Sequence, residues 1–206
     1  MEILVYGDSN TYGYIPGGFG RYDENTRWTR LLDKKLGDSY RVIDEGLCGR
    51  TTVFDDEIRT GRRGIDNLGV VLESHRPVSL VTIMLGTNDC KARFNNSAGT
   101  IARGLERLII LTRQVTGNNQ RILIISPIHL GEGVGHPGFD PEFDDNSVEV
   151  SKGLADAYRD LAERYGCLFL DAAQVAEPSE VDREHLTEEG HAALADAVYE
   201  IVKNLD

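Results

Sequence analysis

Short apolar runs alternate with longer amphipathic segments from one end of the chain to the other. The runs at residues 3–6, 40–44, 80–85, 122–126 and 168–171 are mostly near-continuous in hydrophobic residues. A strand with one wet face alternates apolar and polar side chains, whereas a parallel strand covered on both faces reads as an unbroken apolar stretch. The pattern therefore predicts five buried parallel strands. Between them, apolar residues fall at helical spacing in five groups. These are Trp28, Leu31, Leu32 and Leu36; Ile65, Leu68 and Leu72; Ile101, Leu105, Leu108, Thr112 and Val115; Leu154, Tyr158, Leu161 and Tyr165; and Leu194, Val198, Ile201 and Leu205. The fourth helix is expected behind a cap at Asn146, with Glu149 three residues on. The last opens on Thr187-Glu188-Glu189, a capping residue followed by acids that suit the positive end of the helix dipole.

Such alternation predicts an α/β fold: a single-domain three-layer α/β/α sandwich over residues 1–206. Five strands fit the flavodoxin-like order 2-1-3-4-5, and a barrel would need more chain. In open sheets of this kind ligands bind at the carboxyl ends of the strands. Three long irregular stretches, 13–25, 55–63 and 131–145, are expected at that edge. The last is rich in Gly, Pro and acids and is read as a pocket wall or a subunit contact.

The totals narrow the field. A chain of 206 residues with 40% apolar content can bury one full core. A net charge of −12 disfavours nucleic acid and anionic membranes as partners, since both select basic surfaces. The three cysteines, Cys48, Cys90 and Cys167, are widely spaced and match no disulfide framework or zinc pattern. Met1-Glu2 leads straight into the first strand without a signal-type segment, and no apolar run approaches the ~20 residues of a membrane span. The expected setting is cytoplasmic.

The first strand ends in Gly7-Asp8-Ser9-Asn10, which places a serine at the ligand edge of the sheet as a candidate nucleophile. Such a serine needs a base, a group to orient that base, and donors for an oxyanion. Asp182-Arg183-Glu184-His185 lies between the last strand and the last helix, at the same edge. A carboxylate three residues before a histidine can fold back onto Nδ1 and leave Nε2 free for Ser9. Of the other histidines, His75 is on the far edge and His191 is expected on a helix surface, while His129 and His136 follow strand four and are candidates to line the pocket. Glycine-bearing strand ends at Gly46-Leu47-Cys48-Gly49-Arg50-Thr51-Thr52 and Gly86-Thr87-Asn88-Asp89 are candidate donors, although each alone reads equally as a turn. No Gly-x-Ser-x-Gly elbow, GxGxxG, P-loop or HExxH occurs. The acids Asp140, Glu142, Asp144 and Asp145 lack the spacing of an EF-hand, so no metal is expected.

In chain order, Gly-Asp-Ser after strand one, the glycine loop after strand two, Gly-Thr-Asn-Asp after strand three and Asp-x-x-His before the last helix resemble the SGNH (GDSL-type) hydrolase family over essentially the whole chain. Gly-Asp-Ser-Asn-Thr-Tyr-Gly-Tyr, Arg27-Trp28-Thr29, Glu45-Gly46-Leu47, Arg50-Thr51-Thr52 and Met84-Leu85-Gly86-Thr87-Asn88-Asp89 are similar to its small bacterial arylesterase and acyltransferase branch. The resemblance implies Ser9 as nucleophile, His185 as base and then acid, and Asp182 as orienter, with no cofactor. It further implies an oxyanion hole of the Ser9 N–H, the Gly49 N–H and the Asn88 side chain, with Gly46 the competing glycine. Asp8 would brace the turn, and Cys48 and Cys90 would pack as wall residues. Asn10 stands where the family name has Leu, and Asn10, Tyr14, Arg50 and His136 are the expected substrate-binding residues. Tyr12, Tyr14, Phe19 and Tyr22 are read as bordering the alcohol side or as core. The expected substrate is a small ester with a short, acetyl-type acyl group, aryl esters included, with acyl transfer to alcohols as a second outlet. The expected assembly is a homo-oligomer. A carbohydrate acetylesterase on the same residues and a non-catalytic flavodoxin-like binding module are the alternatives.

Overall fold

Five strands, β1 (Glu2–Gly7), β2 (Arg41–Gly46), β3 (Leu80–Met84), β4 (Arg121–Ser126) and β5 (Leu168–Asp171), form one parallel sheet in the order β2-β1-β3-β4-β5. The computed structural model describes every residue except Phe19, Asn204 and Asp206. The helices are α1 (Ser9–Tyr12), α2 (Trp28–Leu36), α3 (Gly64–His75), α4 (Ala98–Thr116), α5 (Asp145–Lys152), α6 (Leu154–Tyr165) and α7 (Glu188–Val202).

The unbroken apolar runs have the predicted cause. Successive side chains of a strand point to opposite faces, and here both faces are covered. Leu4, Tyr6, Val81, Ile83, Ile122 and Ile124 pack with residues of α3, α4, α5 and α6. Ile3, Val5, Leu80, Met84, Leu123 and Ile125 pack with Trp28 and Leu32 of α2 and with Leu194, Val198 and Val202 of α7. The result is three layers with a separate core on each side of the sheet.

Two helix ends differ from the sequence reading. The cap expected at Asn146 is Asp144, whose carboxylate accepts from the Ser147 N–H in a capping box. The single helix expected behind it is two, α5 and α6, meeting at Gly153. At the last helix, Thr187 caps as expected, accepting from the Gly190 N–H at 3.1 Å.

All three long loops reach the carboxyl edge of the sheet and contribute to one cavity: Tyr14 and Gly17 from the first, Arg59 from the second, Gly138, Phe139, Asp140 and Glu142 from the third. Among the described residues no helix is long and apolar enough to cross a membrane.

Candidate active site

At the end of β1 the chain turns abruptly into α1. Asp8 caps this short helix by accepting the Asn10 N–H at 3.0 Å, and Gly13 closes it in the left-handed region at φ 85°. The turn lodges against β2: a Cβ on Gly46 would lie 2.2 Å from the Tyr12 backbone nitrogen, so only glycine permits this approach. Ser9 is thereby presented at the sheet's carboxyl edge, buried against the protein but lining a cavity of about 510 Å³.

The loop before α7 brings in the rest. Arg183 adopts φ 62°, an uncommon conformation for a side-chain-bearing residue, and the chain folds Asp182 back over His185. Asp182 Oδ2 lies 2.9 Å from His185 Nδ1, and His185 Nε2 lies 3.0 Å from Ser9 Oγ. Asp182 also accepts the backbone N–H groups of Glu184, His185 and Gly17. Burial acts to raise the Asp182 pKa, but these donors and the imidazole outweigh it and hold the carboxyl below its usual range. For His185, burial acts to lower the pKa, and the neighbouring carboxylates of Glu184 and Asp182 outweigh it and raise the imidazole above its ordinary value. Tyr14 covers the imidazole, with ring centroids 4.6 Å apart.

Gly49 and Asn88 line the same cavity as Ser9. Gly49 sits at φ 84°, and a Cβ there would meet the Arg59 guanidinium at 2.7 Å. Of the two candidate glycines, Gly49, beyond β2, is on the cavity, while Gly46, the last residue of β2, packs against α1. Asn88 Nδ2 donates to the Arg50 carbonyl at 3.2 Å. An amide nitrogen carries two hydrogens, so one remains for the cavity. The neighbouring Asp89 accepts the Thr52 N–H and hydroxyl and joins the β2 and β3 ends.

Three of the four expected substrate contacts lie elsewhere. Asn10 follows Ser9 by about 100° of helical rotation, which turns its side chain away from the cavity. It accepts the Leu186 N–H at 2.9 Å and donates to the Glu184 carbonyl at 3.4 Å, tying the serine turn to the histidine loop. Arg50 is buried; its guanidinium donates to the Gly7 and Glu45 carbonyls and lies 3.9 Å from the Tyr6 ring centroid, so it braces the ends of β1 and β2. His136 is exposed and faces Asp145, outside the cavity lining. Tyr14 does line the cavity. Tyr12 instead underlies Arg21, Tyr22 stands edge-on to His191, and Phe19 lies outside the described residues.

Among the remaining histidines, His129 is absent from the cavity lining. His191, expected on a helix surface, is fully buried, and its Nδ1 accepts the Trp28 N–H at 3.3 Å. Its burial lowers its pKa to about 4. Cys48 is on the cavity wall and Cys90 in the core, and burial pushes both thiols up, away from the reactive thiolate. Asp8 is raised to about 6, chiefly by burial.

The acid-rich 131–145 stretch, read as a pocket wall or a subunit contact, does supply Asp140 and Glu142 to the lining, whereas the sequence reading gave no role to Arg59, Lys91 or Glu184. Lys91 is almost wholly buried, with Nζ 2.5 Å from Glu142 Oε2, and Arg93 joins Glu142 to Asp56. Adjacency to His185 was the one available signal for Glu184; the loop residues carry no periodicity to read. Among the described residues no group of three or more His, Cys, Asp or Glu side chains is placed to hold a metal ion.

The family model for GDSL-like lipases and acylhydrolases matches residues 5–193. The chain is similar to the structure of an aryl esterase from M. smegmatis, at 34% identity over 100% of this chain and 99% of that one, with a TM-score of 0.93. It is similar to a carbohydrate acetylesterase from Sinorhizobium meliloti, at 33% identity over 100% and 99% of the two chains, with a TM-score of 0.90. A carbohydrate acetylesterase family member from the same organism shares 38% identity over 98% and 97%, with a TM-score of 0.92. No match is found among curated proteins.

Proposed function

The chain belongs to the GDSL-like lipase/acylhydrolase family and is a carboxylic ester hydrolase, and from that premise we propose that it cleaves short-chain, acetyl-type esters, aryl esters among them, through an acyl-serine intermediate. The observation that carries this reading is the unbroken relay from Asp182 through His185 to Ser9, with contacts of 2.9 and 3.0 Å, on the wall of the cavity. Ser9 Oγ attacks the ester carbonyl as His185 Nε2 takes its proton. Asp182 holds the imidazole with Nδ1 protonated and stabilises the imidazolium that forms. The Ser9 and Gly49 N–H groups and the Asn88 amide receive the oxyanion, and loss of one such donor typically costs ~3 kcal/mol of transition-state stabilisation. His185 then gives the proton to the departing alcohol, and water releases the acyl group by the reverse sequence.

The charged lining supports a short acyl group. A long alkyl chain laid against Lys91, Glu142 and Glu184 would strip water from charges without replacing it. The same lining favours a second reading, a carbohydrate acetylesterase, because those side chains offer partners to sugar hydroxyls. Assaying acetylated sugars against aryl acetates separates the two. The test of the common mechanism is Ser9→Ala with p-nitrophenyl acetate: kcat should fall on the order of 10⁶-fold, as for other serine hydrolases that lose the nucleophile. A serine-directed phosphonate should add its mass to the peptide carrying Ser9. Retained turnover by Ser9→Ala would overturn the mechanism.

A further inference from the structure

Glu184 is a titratable side chain within 4 Å of His185 Nε2 that has no part in the acyl-serine mechanism. Its side chain is more than nine-tenths buried, yet it borders the cavity. Burial and the fields of charged neighbours act on its carboxylate, with no hydrogen bond from a described residue among them. Its Oε1 stands 3.8 Å from His185 Nε2, the atom that faces Ser9 Oγ. The charged groups whose fields reach it are His185, Asp140, Asp182 and Lys91. A buried carboxylate without a donor is costly unless something brings one. Here the open side is the cavity.

We propose that Glu184 holds the attacking water of the deacylation step and so selects hydrolysis over transfer of the acyl group to a simple alcohol. The inference rests on the acyl-serine reading. Once Ser9 Oγ is esterified it no longer donates to His185 Nε2, and two acceptors 3.8 Å apart then face one space. A water oxygen about 2.8 Å from each satisfies both with its two hydrogens. The water oxygen bonds to the acyl carbon as one hydrogen passes to Nε2. The bond from that carbon to Ser9 Oγ then breaks, Oγ takes the proton back from Nε2, and the acid leaves. Glu184 keeps the second hydrogen in a hydrogen bond throughout and is itself neither protonated nor consumed. A monohydric alcohol has a single hydroxyl hydrogen. Giving it to Nε2 turns an alkyl group toward Glu184 and leaves the carboxylate bare. A vicinal diol escapes this penalty, because its second hydroxyl donates to Glu184 in place of water's second hydrogen. Burial raises the Glu184 pKa to about 7, so above that pH it is a carboxylate that can only accept.

The partition of one acyl-enzyme between nucleophiles tests this, because a change in the shared base His185 cancels from the ratio. With p-nitrophenyl acetate as donor and ethanol added at fixed concentration, Glu184→Leu should raise the ratio of ethyl acetate to acetate about tenfold, the effect of losing one hydrogen bond to a charged group. The pre-steady-state burst of p-nitrophenolate reports that acylation survives in the variant. An intact burst with an unchanged ratio would overturn the proposal while leaving the Ser9 mechanism standing; turnover by Ser9→Ala would instead remove the reading beneath it. A second measurement needs no variant: the native enzyme offered ethanol and ethylene glycol together should form the glycol monoester in large excess per hydroxyl, and equal use of the two would also overturn the proposal.

Discussion

Ser9 and His185 are 176 positions apart in the chain and 3.0 Å apart in space, and the properties of the pair are set by what surrounds the imidazole. Burial alone would favour neutral His185, but the Glu184 and Asp182 carboxylates shift the balance toward the imidazolium. A base must be neutral to accept a proton. The rate kcat/KM should therefore rise with pH through a value above the ordinary 6.5 of histidine. Removing the Asp182 charge with Asp182→Asn should move that limb to lower pH. It should also cut kcat by about 10⁴-fold, because the imidazole loses the partner that fixes its tautomer. A pH–rate profile of both proteins on p-nitrophenyl acetate checks the direction and the size; a limb that stays in place would show that Asp182 does not act on His185.

At the scale of elements, the site depends on how closely α1 sits on the end of β2. Gly46 is in register with Gly7, and the Thr11 and Tyr12 backbone occupies the space that a side chain would need, with a Cβ 2.2 Å from the Tyr12 nitrogen. Gly46→Ala should therefore cost about 1–3 kcal/mol, the range for overpacking a fixed site. It should lower kcat as well, since α1 carries Ser9. Gly99, in the first turn of α4, is the control: a Cβ there meets nothing nearer than the Ser97 hydroxyl at 3.9 Å. Gly99→Ala should leave activity unchanged and stabilise by about 0.5–1 kcal/mol through helix propensity. Thermal melts and initial rates on both variants measure the contrast.

Over the whole molecule, α2 and α7 share one face of the sheet, and His191 of α7 is buried where its ring accepts the N–H that opens α2. The folded state keeps this imidazole neutral down to about pH 4, whereas the unfolded chain protonates it near 6.5. Between those values the unfolded state holds the extra proton, so acidification removes stability, at up to about 1.4 kcal/mol per pH unit for one proton. Asp8 and Asp89 work in the opposite sense: burial raises each to about 6, so the folded state holds their protons first. The signature of His191 is therefore a difference between proteins. His191→Asn, whose side-chain oxygen can still accept the Trp28 N–H, should show a shallower loss of stability between pH 6.5 and 4 than the native chain does relative to pH 7. Urea melts across that range give the comparison, and parallel curves would sink the assignment.

The amino-acid sequence determined the strands, because burial on both faces leaves an unbroken apolar run that needs no knowledge of neighbours. Its strand–helix alternation determined a parallel sheet, to which the order found fits, and it placed Ser9, Asn88 and the 182–185 turn at strand or loop ends facing one edge. Each of those features is local: a period, a turn residue, a spacing of three. Tertiary structure alone decided which way the intervening side chains point. It turned Asn10 and Arg50 from the cavity into braces between chain segments, and it buried His191. It also brought Arg59, Lys91, Asp140, Glu142 and Glu184 around Ser9 from four separate stretches of chain. Loop residues have no periodicity, and their burial and partners come from contacts far away in sequence. For that reason the Ser9, His185 and Asp182 cluster was legible in the chain, while the partners of the charged side chains around it were not.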